Sequence, residues 1–548
     1  MALRRAPAAA CLAATALLIA PFGLTSCGTG TKEINYAVDA TLPTYNANTV
    51  VGAASSAPPA FARVLTGFGY HGPDGQIVGD HDFGTVSVVG REPLLLDYQI
   101  ADNAVYSDGK PITCDDMVLA WAAQSGRFPG FDAASRAGYA DITSVDCRPG
   151  QKKARVTFAP DRPFVDYAQL FTATSMMPSH VIADELGVDV TTAVEVDDAP
   201  TVARIAQRWN STWDLKPGVD VKHFPSSGPY RLDSVRSDGS VVLVANDRWW
   251  GAKPLIGRIT VWPGAADISD RLNSSTVDVV DVAAGASGTL NLPGGYQRTD
   301  FASDGIEQLI FSGQGPLAAA GARRALALCA PRDAIAADAG VPVANTRLYP
   351  AADDAFAAVE GAAQPVQYSK SDPGAARAAL KNARLTVRIG YQSPNARLAT
   401  AVGAIAQACA SAGITVQDVS SAGTGPLTLT GNQIDVLLAG TGGATGGGSS
   451  GSSPIDAYDL HTGNGNNLSG YSNPHVDDII NTLAVTSDPK QIGSQLADGA
   501  GVLWADMPTL PLYRQQRTLI TSKKMNAVST NPTRWSAGWN MDRWVLGT

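Results

Sequence analysis

The stretch 385–419 constrains the architecture more than any other. Residues 385–389 are a short apolar-alternating run, and 396–412 carry apolar residues at helical spacing, closed by Gly413. Residues 414–419 are a second run rich in β-branched side chains. Strand, helix, strand in that order predicts a parallel unit, because parallel strands need a long crossover and a helix supplies it. The chain is therefore read as α/β. Further strands are expected at 34–38, 94–100, 156–158, 241–245 and 258–262. Helices are expected after Thr113, at 201–209, across 321–339 around Pro331, after Asp372 with Pro373 in first position, and at 477–483 and 491–504. A chain of 548 residues with 45% apolar content exceeds one ordinary domain, so two or three lobes are expected.

The first residues read as an export signal. Arg4 and Arg5 precede an Ala/Leu-rich run that ends in Leu24-Thr25-Ser26-Cys27. Those last four residues resemble a bacterial lipobox, which makes Cys27 the lipid acceptor and places the mature chain on the extracytoplasmic face of the cell membrane. Cys114, Cys147, Cys329 and Cys409 then remain for an oxidising compartment. The pairs nearer in sequence, Cys114–Cys147 and Cys329–Cys409, are the expected disulfides. No C-x-x-C spacing supports a zinc site. The net charge of −9 is spread thinly, without the basic stripe a nucleic-acid partner would need.

Seven separated segments resemble the extracellular solute-binding protein family 5 of ABC importers, the dipeptide/oligopeptide-binding group. Leu96-Asp-Tyr-Gln-Ile runs through Ser107-Asp-Gly-Lys-Pro to Thr113-Cys-Asp-Asp-Met-Val. Ser227-Gly-Pro-Tyr-Arg-Leu, Asn246-Asp-Arg-Trp-Trp-Gly and Val277-Asp-Val-Val follow. Arg323-Arg-Ala-Leu, Gly470-Tyr-Ser-Asn-Pro-His-Val-Asp-Asp and Pro508-Thr-Leu-Pro-Leu-Tyr complete the series, in family order over 94–513. The resemblance implies a two-lobed periplasmic-binding-protein-like fold of type II with an extra subdomain in the first lobe. On that basis 27–60, 222–300 and 514–548 form the lobe I core, 61–221 the extra subdomain and 301–513 lobe II. It also implies a monomeric lipoprotein that hands a small peptide-like ligand to permease subunits, with no cofactor and no catalysis. The alternative is a lipoprotein uncoupled from transport, with a regulatory or scaffold role in envelope assembly.

Catalytic motifs are absent from the sequence: it has no Gly-x-Ser-x-Gly elbow, no His-Glu-x-x-His and no phosphate-binding loop. Residues 440–451 are glycine-rich but lack lysine, so a flexible loop is expected. His71 and His81 are read as part of a solvated turn rather than a metal site. The ligand-binding expectation falls on Tyr45, Asn46, Gln392, Asn395, Gly440, Thr441, Tyr513 and Arg514, at strand ends or a lobe crossing. Peptide readers of the family anchor the ligand amine on an aspartate after a strand resembling Ile434-Asp-Val-Leu-Leu-Ala-Gly. Here no acid follows until Asp456, so either Asp456 or Asp459 substitutes or the ligand is not a free-amine peptide. Trp535 and Trp539 are weighed as cleft walls against a core role.

Overall fold

Strand β1 (Glu33–Val38) forms where Ile34, Tyr36 and Val38 alternate onto a buried face. The structure, a computed structural model, describes residues 33–264, 267–350, 355–446 and 448–547; Cys27 lies outside them. β1 belongs to a ten-stranded sheet with β2 (Tyr230–Val235), β3 (Val241–Ala245), β4 (Arg258–Pro263), β5 (Val279–Ala283), β6 (Tyr296–Phe311), β7 (Leu385–Gly390), β8 (Ile414–Asp418), β9 (Val436–Gly440) and β10 (Thr509–Ser522). Across the sheet the order is β8-β7-β9-β6-β10-β5-β1-β4-β3-β2. β1 runs parallel to β4 and β5, and β7 runs parallel to β8 and β9. Helix Ala396–Ala410 makes the β7–β8 crossover, and Gly413, at φ 83°, turns the chain into β8.

Two long antiparallel strands join the halves of the sheet. Residues 296–302 of β6 pair with 516–522 of β10 on the β5 side, whereas 306–310 pair with 509–514 on the β9 side. The register breaks between Ala302 and Ile306. Each half has its own core. Tyr36, Phe61, Trp209, Trp213, Val261 and Trp544 pack in the first lobe, and Phe311, Leu326, Val387, Ile405, Leu438 and Trp504 in the second. Each fully buried aromatic of this kind contributes about 3 kcal/mol through lost water contact.

A third cluster fills the four-stranded antiparallel sheet of Gly84–Arg91, Leu94–Ile100, Lys153–Phe158 and Ile142–Cys147. It continues into helices Pro474–Leu483 and Pro489–Asp506 of the second lobe. Helices Ser179–Leu186 and Ala199–Ser211 bury Ile182, Ile205 and Trp209 in the first-lobe core instead. That part of the 61–221 segment therefore packs with lobe I proper. Both expected disulfides are formed. Cys114–Cys147 ties helix Cys114–Gln124 to its neighbouring strand, and Cys329–Cys409 ties helix Ala320–Cys329 to Ala396–Ala410.

Candidate functional site: a cavity between the lobes

β1 ends at Val38 and β7 at Gly390, and the segments that follow them meet. The Thr41 N–H donates to Gln392 Oε1 at 3.2 Å, and Gln392 Nε2 donates to Thr41 Oγ1 at 3.0 Å. Thr41 belongs to the first lobe and Gln392 to the second, so a reciprocal amide–hydroxyl pair bridges the crevice at the carboxyl ends of the strands, where α/β sheets bind ligands. Beside it lies a cavity of about 290 Å³. Pro43, Val51 and Ala54 face it from one lobe, and Pro426, Leu437 and Ala439 from the other. Ser55, Thr424 and Thr445 add hydroxyls, and none of the described lining residues is charged. Apolar walls with a few fixed polar groups are the usual composition of a small-molecule site.

The glycine-rich segment is packed, which corrects the expectation of a flexible loop. Thr441, Gly442, Gly443, Ser449, Ser450 and Ser452 are buried between the lobes. Gly446, at φ 83°, brings its backbone against Asp39; a Cβ there would lie 2.0 Å from Asp39 Oδ2. Only glycine allows this approach in this backbone region. Arg517 Nη1 donates to the Gly446 carbonyl, while Arg517 Nε donates to Asp281 Oδ1 at 2.8 Å. Asp39 accepts the Ala283 N–H at 2.6 Å, and Asp281 accepts the Ala537 N–H at 2.6 Å. Burial raises the Asp39 carboxyl against the opposing pull of Arg517. One guanidinium thus fastens β5, β10, the C-terminal segment and the second-lobe loop together.

The residues expected to bind ligand are not brought together. Gln392 lines the cavity; Gly440, the last residue of β9, and Thr441, whose Oγ1 accepts the Ile306 N–H at 3.3 Å, are outside its lining. Tyr45 is fully buried among Phe61 and Phe224 with its hydroxyl 3.1 Å from Ser226 Oγ, and Asn46 donates to the Trp209 carbonyl at 3.1 Å. Both sit in the first-lobe core. Asn395 caps helix Ala396–Ala410 by accepting the Leu398 N–H. Tyr513 is buried in the second-lobe core on β10, and Arg514 pairs with Ile306 just past the register break. Asp456 is buried, accepting Ser449 Oγ at 2.7 Å and the Ser450 N–H at 2.8 Å. Asp459 accepts from the Gly442 N–H and the Asn466 side chain, and burial and Asp456 raise its carboxyl well above the usual range.

His71 corrects the reading of a solvated turn. It is buried, stacked on Trp535 at 3.9 Å, and hydrogen-bonded through Nδ1 to the Gly75 carbonyl at 3.0 Å; burial lowers its pKa to about 3. Trp535 donates to Thr174 Oγ1 and Trp539 to the Ser529 carbonyl, both from buried positions outside the cavity lining. Sequence reasoning missed Thr41, Ser55 and Thr445. These are ordinary polar residues in loops, and only their position after strand ends could have marked them.

Two α/β lobes, two crossing strands and a cavity between the lobes define a solute-binding-protein fold. Residues 93–459 match the bacterial extracellular solute-binding proteins, family 5, middle region, and the chain belongs to that family. It is 65% identical over 537 residues, 97% of this chain and 96% of the relative, to an uncharacterized lipoprotein of Mycobacterium tuberculosis. Among solved structures it resembles a periplasmic EDTA-binding protein with a TM-score of 0.74 and 18% identity, over 95% of this chain and 98% of that one. It also resembles the oligopeptide-binding protein of Bacillus subtilis in complex with a nonapeptide, with a TM-score of 0.72 and 14% identity, over 94% and 100%.

Proposed function

We propose that the chain is a lipid-anchored binding protein that encloses a small peptide or peptide-like solute between its lobes and presents it to the permease subunits of an ABC importer. Cys27 carries the lipid, and the binding body stands on the extracytoplasmic face of the cell membrane. The observation that carries this reading is the 290 Å³ cavity beside the Thr41–Gln392 bridge. Its two walls belong to different lobes, so closing the bridge encloses a guest and opening it releases one. The hydroxyl and amide groups around an apolar lining suit a peptide main chain. The family and the lipoprotein relative support the same reading.

The test is thermal melting of the full chain in detergent against a peptide panel. A bound solute stabilises the folded state by about 2.7 kcal/mol at a hundredfold excess over Kd, because only the folded form binds it. Thr41 is exposed, so Thr41→Trp fills the cavity without disturbing the core. The expected result is a ligand-dependent rise in Tm that Thr41→Trp abolishes. No shift with any peptide, or a shift indifferent to Thr41→Trp, overturns the proposal.

A further inference from the structure

The walls of the cavity between the lobes differ in what backs them. On the second-lobe side Leu437 and Ala439 are the rim of a packed cluster with Ile310, Leu429, Ile434 and Leu468. That wall is therefore held in place by core packing. Leu427, on the short helix Pro426–Thr430, lines the same cavity and is still 62% exposed. A guest that covers Leu427 removes apolar surface from water that the fold itself leaves open.

The polar groups of the lining are largely engaged by the protein. Ser55 Oγ donates to the Gly52 carbonyl at 2.8 Å and accepts the Ala57 N–H at 3.1 Å. Thr424 Oγ1 accepts the Ser421 N–H at 3.0 Å, and Thr41 and Gln392 serve each other. Asp39, the acid two residues before Thr41, gives its carboxylate to the Ala283 N–H and to Arg517. What is left over is single lone pairs and hydroxyl protons, which suit a neutral peptide N–H or carbonyl and cannot match a full charge. Two effects then decide what enters. Each methylene moved from water onto this wall tightens binding about fourfold. A charged side chain in the same place gives up its water with no ion pair in return, which is by far the larger effect. At the roughly 30 Å³ that one water occupies in the liquid, the cavity has room for about ten waters, so the group it takes is one side chain and its peptide unit.

We propose that the cavity is a specificity pocket for one uncharged aliphatic side chain of the solute, about leucine in size, with Leu427 as a specificity-determining contact. The inference rests on the solute-binding reading and narrows its ligand class: a solute carrying an apolar residue at this position is taken, and one carrying an acidic or basic residue there is refused.

Isothermal titration calorimetry of the full chain in detergent tests it, with triglycine, Gly-Leu-Gly, Gly-Asp-Gly and Gly-Lys-Gly as probes. The glycine flanks leave a single side chain to seat, and all four peptides share the same termini, so the comparison isolates that side chain. Gly-Leu-Gly should bind about tenfold or more tightly than triglycine, and the two charged peptides no more tightly than triglycine. Leu427→Ala should weaken Gly-Leu-Gly about three- to tenfold and narrow its margin over triglycine. Leu427 is exposed, so the Tm of the free variant should match that of the unaltered chain, which separates a lost contact from lost folding. If the variant fails to fold, the four-probe series on the unaltered chain still decides. A charged peptide bound as tightly as Gly-Leu-Gly, or a Gly-Leu-Gly affinity indifferent to Leu427→Ala, overturns the inference and leaves the solute-binding reading in place. Neither heat nor a shift in Tm from any of the four overturns both.

Discussion

At the scale of single residues the crossing strands hold the clearest titrating group. Glu307 on β6 is buried, and burial raises its carboxyl from 4.5 to about 7. Its Oε2 accepts from Gln515 Nε2 at 3.2 Å, yet among the described residues Glu307 Oε1 and Gln515 Oε1 both lack a donor. A proton on Glu307 removes the buried negative charge that desolvation disfavours. The folded chain therefore holds the proton more tightly than the unfolded one. Glu307's contribution to folding stability falls as pH rises from about 4.5 and levels off above about 7, by about 3 kcal/mol at most. Glu307→Gln should raise Tm at pH 8, change it little at pH 4, and flatten that part of the stability profile. His71 acts in the opposite sense: its folded pKa is depressed from 6.5 to about 3, so its contribution is present above pH 6.5 and is lost as pH falls through that window. Arg517 is the other decisive residue. Arg517→Met leaves Asp281 and Asp39 buried without their cation and should cost about 3–5 kcal/mol in urea unfolding, whereas Arg517→Lys should recover only part, since an ammonium cannot replace the fork.

At the scale of elements, what the sequence made legible followed local chemistry. The β7–helix–β8 unit was readable because its apolar period changes from two to 3.6 and back. The Asp372 and Thr113 helix starts were readable because caps are local signals. The long strand β6 and the second half of β10 escaped because these strands change lobes midway, so their buried side follows tertiary surroundings rather than a simple alternation. Tyr45 and Asn46 were misplaced for a related reason: position after a strand does not reveal which side of the lobe the chain then enters. The glycine-rich segment was misjudged because composition alone cannot distinguish a free loop from backbone packed where side chains do not fit. Gly446→Ala tests that packing. A Cβ at positive φ and against Asp39 should cost about 1–3 kcal/mol in calorimetric unfolding and weaken ligand affinity, by forcing the second-lobe loop away from the first lobe.

At the scale of the whole molecule, the proposed function requires that the two lobes joined by two strands exchange an open and a closed arrangement, with a solute that contacts both walls favouring the closed one in proportion to its differential affinity. The lobes touch through the Thr41–Gln392 pair, the Ala396–Ala286 backbone bond and the Arg517–Gly446 contact, through the Ser452–Asp166 and Arg136–Asn464 hydrogen bonds, and through the apolar cluster that runs from the four-stranded sheet into helices Pro474–Leu483 and Pro489–Asp506. Native mass spectrometry of the full chain isolated in detergent from its own envelope tests the central claim most directly. One small solute per chain, released on denaturation and missing from Thr41→Trp, is the predicted result. A bare chain mass for the unaltered protein, unchanged by added peptides, would contradict it.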